Sequence, residues 1–114
     1  MKLNDYVKKL KTTPESISFD ETISTIDEHY DFTPSTFTNG DTINKANENN
    51  GSCKIFFFAK EQQFSEELTL HCFGDYYRKD VLQNPGSDNH QNIRNFMTSG
   101  WTGVSFESSA LKIK

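Results

Sequence analysis

Ten phenylalanines, four tyrosines and a single tryptophan supply most of what this chain can bury. Only 33% of its 114 residues are hydrophobic, so aliphatic side chains alone cannot fill a core. Each buried aromatic removes far more area from water than an alanine or valine. The chain must therefore fold as one small domain, residues 1–114, around a few large rings. The most apolar run, Ile55 to Ala59, is far shorter than the ~18 residues of a membrane span. The start MKLNDYVKKLK lacks the apolar stretch of a secretory signal. A net charge of −4 argues against nucleic acid, which is gripped by a basic face. The expected setting is the cytoplasm, with Cys53 and Cys72 as reduced thiols.

Local signals then place the elements. Asn4 can cap a first helix carrying Leu3, Tyr6, Val7 and Leu10. Thr13-Pro14-Glu15 interrupts it. Ser18-Phe19-Asp20-Glu21 reads as a capping box, followed by Phe19, Ile23, Ile26 and Tyr30 in a stripe about 60° wide. Between residues 31 and 51 the pattern dissolves into turn formers: Pro34, Asn39-Gly40, Asn50-Gly51. An irregular loop is expected there, pinned by Phe32 and Phe37, with room for a short helix near Asp41 to Asn47.

Beyond it, CKIFFFAKEQQ fits a buried strand or a helix. Its polar continuation without a breaker selects a helix, capped by Ser52. Ser65 caps what reads as one long helix through Val81, the spine of the fold, which Asn84-Pro85-Gly86 ends. Asp88 or Asn89 caps a last helix that stops at Gly100. The tail Thr102 to Phe106 alternates and reads as a short extended segment that can pair with the Phe37 segment. The expected fold class is mainly α: about five helices, the irregular loop at 31–51 and one extended piece at 102–106.

Chemistry has few places to sit. On the last helix, His90, Arg94 and Trp101 border the apolar arc on one side, while Gln91 and Asn95 point outward. They either support the helix end and a cation–π pair or line a binding edge with the 32–40 loop, through Phe37 and Asn39. Asp80 falls about 20° from Phe73, inside the apolar arc of the long helix. A carboxylate there must be paired, capping a neighbouring helix or accepting from a cation, with Arg94 the expected one, or else serve a ligand or acid–base role. His71, Gly74, Asp75 and Arg78 gather on the opposite, solvated strip. His71 and Cys72 diverge by about 100° on a helix and do not easily share a metal, and His29 and His90 have no partner at ligand spacing. Cys53, expected in the first turn of its helix, can form a nucleophile pair with His71 or His90, since such partners need only be close in space. No GxSxG, P-loop or GxGxxG occurs, so no cofactor is expected.

Four strings, YDFTPSTFTNG (Tyr30 to Gly40), NNGSCKIFFFA (Asn49 to Ala59), CFGDYYRKDVL (Cys72 to Leu82) and DNHQNIRNFMTSGWTGVSFE (Asp88 to Glu107), resemble the HopJ family of type III effectors. The likeness runs from about residue 15 to near the end. It implies a small, mainly helical bacterial protein and carries over no catalytic residues. The expected function is a non-enzymatic domain that binds a small molecule or a protein partner. The alternatives are an effector delivered by a type III system, or a small hydrolase or transferase using Cys53 or Asp80.

Overall fold

Helix α3, Asn50–Gln62, is the true centre of the molecule. Cys53 and the whole run Ile55 to Ala59 are buried, so the middle of this helix is covered on every side, as an apolar run longer than one turn must be. Phe56 packs against Phe37, Phe73, Phe96 and Trp101, and Phe58 against Tyr6, Tyr30 and Phe64. The aromatic core expected from composition is thus organised by two rings of a single helix. The computed structural model describes all 114 residues.

Around α3 the chain places α1 (Leu3–Thr12), a 3-10 turn (Pro14–Ser16) and α2 (Phe19–His29). The Ser18 box is present: Ser18 Oγ accepts from the Glu21 N–H at 3.1 Å, and Glu21 reaches back to the Ser18 N–H at 3.3 Å. The buried Tyr6 hydroxyl joins three segments, meeting Thr22 Oγ1 at 2.7 Å and Cys72 Sγ at 3.4 Å.

The segment expected to be an irregular loop instead supplies β1 (Tyr30–Phe32), β2 (Phe37–Asn39) and β3 (Thr42–Asn44). No helix forms at 41–47. The C-terminal part supplies β4 (Val104–Phe106) and β5 (Leu111–Ile113). Two small antiparallel sheets result, β1-β5 and β3-β2-β4. The fold is therefore α/β, about 55% helical with 13% strand, and the mainly α expectation is corrected. Three-residue strands are too short to show alternation, and outside the local β2–β3 hairpin their partners are distant: Phe37 lies opposite Phe106, and Tyr30 opposite Ile113. The pairing of the 104–106 segment with Phe37–Asn39 is the one strand contact expected from the sequence.

The long helix is also corrected. Ser65 does cap it, accepting from the Leu68 N–H at 3.2 Å, but α4 ends at His71. Gly74 lies against the backbone of Ser18 and Phe19 at φ +61°, a left-handed conformation that breaks the straight helix. The chain resumes as a π-helix, Tyr76–Val81. After it comes α5, Gln91–Ser99, and a 3-10 turn, Gly100–Gly103. No helix is long and apolar enough to cross a membrane.

Candidate functional site

Helices α3 and α5 begin in the same unusual way. The residues before them, Asn49 and His90, sit in the left-handed region at φ 53° and 52°, and neither side chain caps its helix. Ser52 and Asp88 or Asn89, the caps expected from the sequence, lie one turn inside α3 and just outside α5. Neither helix has an acidic residue in its first turn. Both first turns open on one cleft of about 350 Å³. Phe19, Tyr76 and His90 give it an aromatic wall; Thr42, Asn49, Ser52, Gln91 and Asn92 give it a polar one. No carboxylate, lysine or arginine lines it.

Behind the polar wall lies a network of amides. Asn39 Nδ2 donates to the Asn92 carbonyl at 2.7 Å and to its Oδ1 at 3.1 Å. Asn44 and Asn92 exchange side-chain bonds at 3.1 and 3.0 Å, and Asn49 donates to Asn44 Oδ1 at 2.7 Å. Asn95, expected to face water, donates to the Asn39 carbonyl and to Thr42 Oγ1. Asn39 is fully buried, and its Oδ1 is the one buried side-chain atom of this network without a partner. Buried amides are tolerated because they are bonded. They bolt the β2–β3 hairpin to the starts of α3 and α5, so the asparagines of the last helix are not a solvated coat.

The aromatic wall is set by the π-helix. A continuous α-helix would turn Asp80 into the core; the break at Gly74 and the wider winding rotate it outward, where its side chain is 46% exposed. There Asp80 Oδ2 lies 3.1 Å from His90 Nε2. The Tyr76 ring rests on the His90 ring, 5.1 Å between centroids and 34° from parallel, and meets Phe19 edge-on at 4.9 Å. Arg94 is not the partner of Asp80. It donates to the Asn89 carbonyl, Asn89 Oδ1 and the Pro85 carbonyl.

Of the residues singled out from the sequence, Asp80 and His90 are thus brought together, and Asn39 stands behind the cleft. The others lie elsewhere. Phe37 is a core ring stacked on Phe106 at 5.3 Å. Arg94 borders a separate depression with Leu82 and Met97. Trp101 lines a third with Lys60, Phe64 and Val104, its Nε1–H donating to the Phe64 carbonyl at 3.0 Å. His90 and Trp101 stand at opposite ends of α5 and line different depressions. Sequence reasoning missed Phe19, Tyr76, Asn49 and Ser52; the crowding of asparagines before Gly51 was the available signal.

A second depression shares Phe19 and Tyr76 and includes Arg78. That guanidinium is already committed to the carbonyls of Pro14, Ile17 and His71 and to His71 Nδ1. The thiols sit away from both. Cys53 and Cys72 are free and buried. Burial pushes the Cys53 thiol up, and pushes Cys72 up to about 12. No three His, Cys, Asp or Glu side chains gather as metal ligands would.

The model of the HopJ type III effector protein family matches residues 3–111. The crystal structure of the unknown function protein VPA0580 is similar at a TM-score of 0.99 and 54% identity, over 100% of this chain and 95% of that one. No curated protein matches.

Proposed function

We propose, from the premise that the chain belongs to the HopJ type III effector family, that it binds a small planar molecule with hydrogen-bonding edges in the α3–α5 cleft. One observation carries this reading: an aromatic wall and a wall of amides and hydroxyls share a single cleft. Aromatic side chains favour flat ligands, and fixed polar groups select among them by their edges. The cleft's size suits one ring system. The two helix starts add backbone N–H groups and a positive pole, which favour acceptor atoms on the ligand. A charged cation would meet no carboxylate there.

Titrating the ¹⁵N-labelled protein with a set of nitrogen heterocycles tests the reading. The amides of Gly51, Ser52, Gln91 and Asn92 should shift together. Gly51→Val should abolish the shifts, because even a Cβ at this position meets the Phe19 ring at 3.0 Å. Silence at all four amides across the set would overturn the proposal.

Export through a type III system is the second reading, favoured by the family's description. A reporter fused behind the first residues, expressed in a cell with and without a working secretion apparatus, tests it. Retention in both cells would remove it.

A further inference from the structure

The Asp80–His90 pair bears on what the cleft accepts. A carboxylate only accepts hydrogen bonds, so His90 Nε2, 3.1 Å from Asp80 Oδ2, is the nitrogen that carries hydrogen. In the neutral ring Nδ1 is then an acceptor, and it has no partner in the chain. Tyr76 packs on the ring face and restricts its rotation. The π-helix holds both Tyr76 and Asp80 against His90, so one element fixes the plane of the ring and its hydrogen. No other charged side chain competes: Arg94, one turn along α5, is committed to Asn89 and Pro85. Asp80 does not itself line the cleft.

We propose that Asp80 is a positioning residue that makes His90 Nδ1 a hydrogen-bond acceptor among the backbone donors of the cleft. The ligands selected carry an N–H or O–H beside a carbonyl, as in the –CO–NH– edge of a lactam or ureide ring. This inference rests on the reading of the cleft as a heterocycle site. It adds a rule for which heterocycles enter.

The experiment has two parts. First, ¹⁵N spectra of the imidazole at about pH 8, where ordinary imidazole is neutral, report which nitrogen carries hydrogen. The wild type should show Nε2–H. Asp80→Asn can offer an N–H to Nε2 instead and should move hydrogen to Nδ1. Second, uracil and 1,3-dimethyluracil are titrated against both proteins, reading the Gln91 and Asn92 amides. Wild type should bind uracil about tenfold more tightly, the worth of one good hydrogen bond. In Asp80→Asn the preference should vanish. A preference that persists in Asp80→Asn comes from methyl bulk and overturns the proposal, as does an Nδ1–H ring in the wild type. Equal binding of both probes by the wild type overturns the rule but leaves the cleft as a site. No shift with either probe, in a protein whose ring is Nε2–H, overturns this inference; the cleft reading falls only with silence across the whole heterocycle set.

Discussion

Arg78 donates to His71 Nδ1 at 3.1 Å, closing the Gly74 turn with a cation against a histidine. A guanidinium only donates, so His71 must present a lone pair and stay neutral in the folded protein. Burial, and next Arg78, hold the His71 imidazole below its ordinary value, against a smaller opposite pull from Glu15 and Glu67. In the unfolded chain the same ring takes a proton near pH 6.5. The unfolded state therefore binds more protons on the acid side. The stability that goes with neutral His71 is present above about pH 6.5 and is lost as pH falls from there through the folded value. Denaturant midpoints measured from pH 8 to pH 5 should fall in the wild type. In His71→Gln, whose carbonyl oxygen can still accept from Arg78, that part of the slope should be gone.

Gly74 makes this turn possible, and it is the position least able to carry a side chain. Its φ of +61° is strained for any L-residue, and a Cβ would stand 2.5 Å from the Phe19 nitrogen. Backbone on the opposing side cannot give way as a side-chain tip could. Gly74→Ala should destabilise by about 2–4 kcal/mol, combining left-handed strain with overpacking. Gly86 faces open space, so Gly86→Ala should stay within about 0.5 kcal/mol. Equal losses in urea melts of the two variants would contradict this account.

The parts of the fold legible in the sequence are those whose cause is local. Ser18 and Glu21 close their box within one turn, Ser65 caps α4 three residues ahead, and Pro14 stops α1 without help from elsewhere. The Ile55–Ala59 helix could be told from a strand because its polar continuation had no breaker. What was hidden depends on distant partners. Gly74 looks like one more polar-face residue until Ser18 and Phe19 are packed against it; only then must the helix break and Asp80 swing outward. Asn39, Asn44 and Asn92 look like turn and surface residues until the hairpin docks on α5 and buries them. Of the candidate site, the sequence indicated His90 and Asp80 but assigned Asp80 the wrong partner, because a wheel drawn at 100° per residue does not survive a π-helix.

The amide network should behave as a unit. Removing the Asn92 side chain leaves the Asn44 Nδ2 donor without an acceptor, while the Asn92 backbone carbonyl still holds Asn39. Asn92→Ala and Asn44→Ala should each cost about 1–3 kcal/mol, the price of an orphaned buried group. Because the two side chains bond each other, the double variant should cost clearly less than the sum. Additive losses in a double-mutant cycle would show that their reciprocal bonds contribute nothing.

The thiols should be silent. Cys53 is 1% exposed and Cys72 fully buried, and burial holds both in the protonated form. The thiolate is the reactive species. Ellman's reagent should therefore label neither cysteine at neutral pH without denaturant, and both after unfolding. Fast labelling of Cys53 in the native protein would restore it as a nucleophile candidate.

Trp101, the only tryptophan, reports on its own corner of the molecule and not on the cleft. Its ring meets Phe56 and Phe96 edge-on, at 6.4 and 5.0 Å between centroids, and its N–H is held by the Phe64 carbonyl. The ring packs on two phenylalanines and its N–H has one fixed acceptor, so emission should be shifted to the blue of free indole. The residue is only partly buried, so acrylamide should quench it in part. The depression it lines shares no residue with the α3–α5 cleft. Uracil seated against His90 should thus leave the emission unchanged while it shifts the Gln91 and Asn92 amides. Trp101→Phe keeps the ring packing and loses the bond to Phe64, for a cost of about 0.5–1.5 kcal/mol. A change in emission that tracks uracil occupancy would mean that binding moves α5 as a body, carrying the Gly100 turn with it.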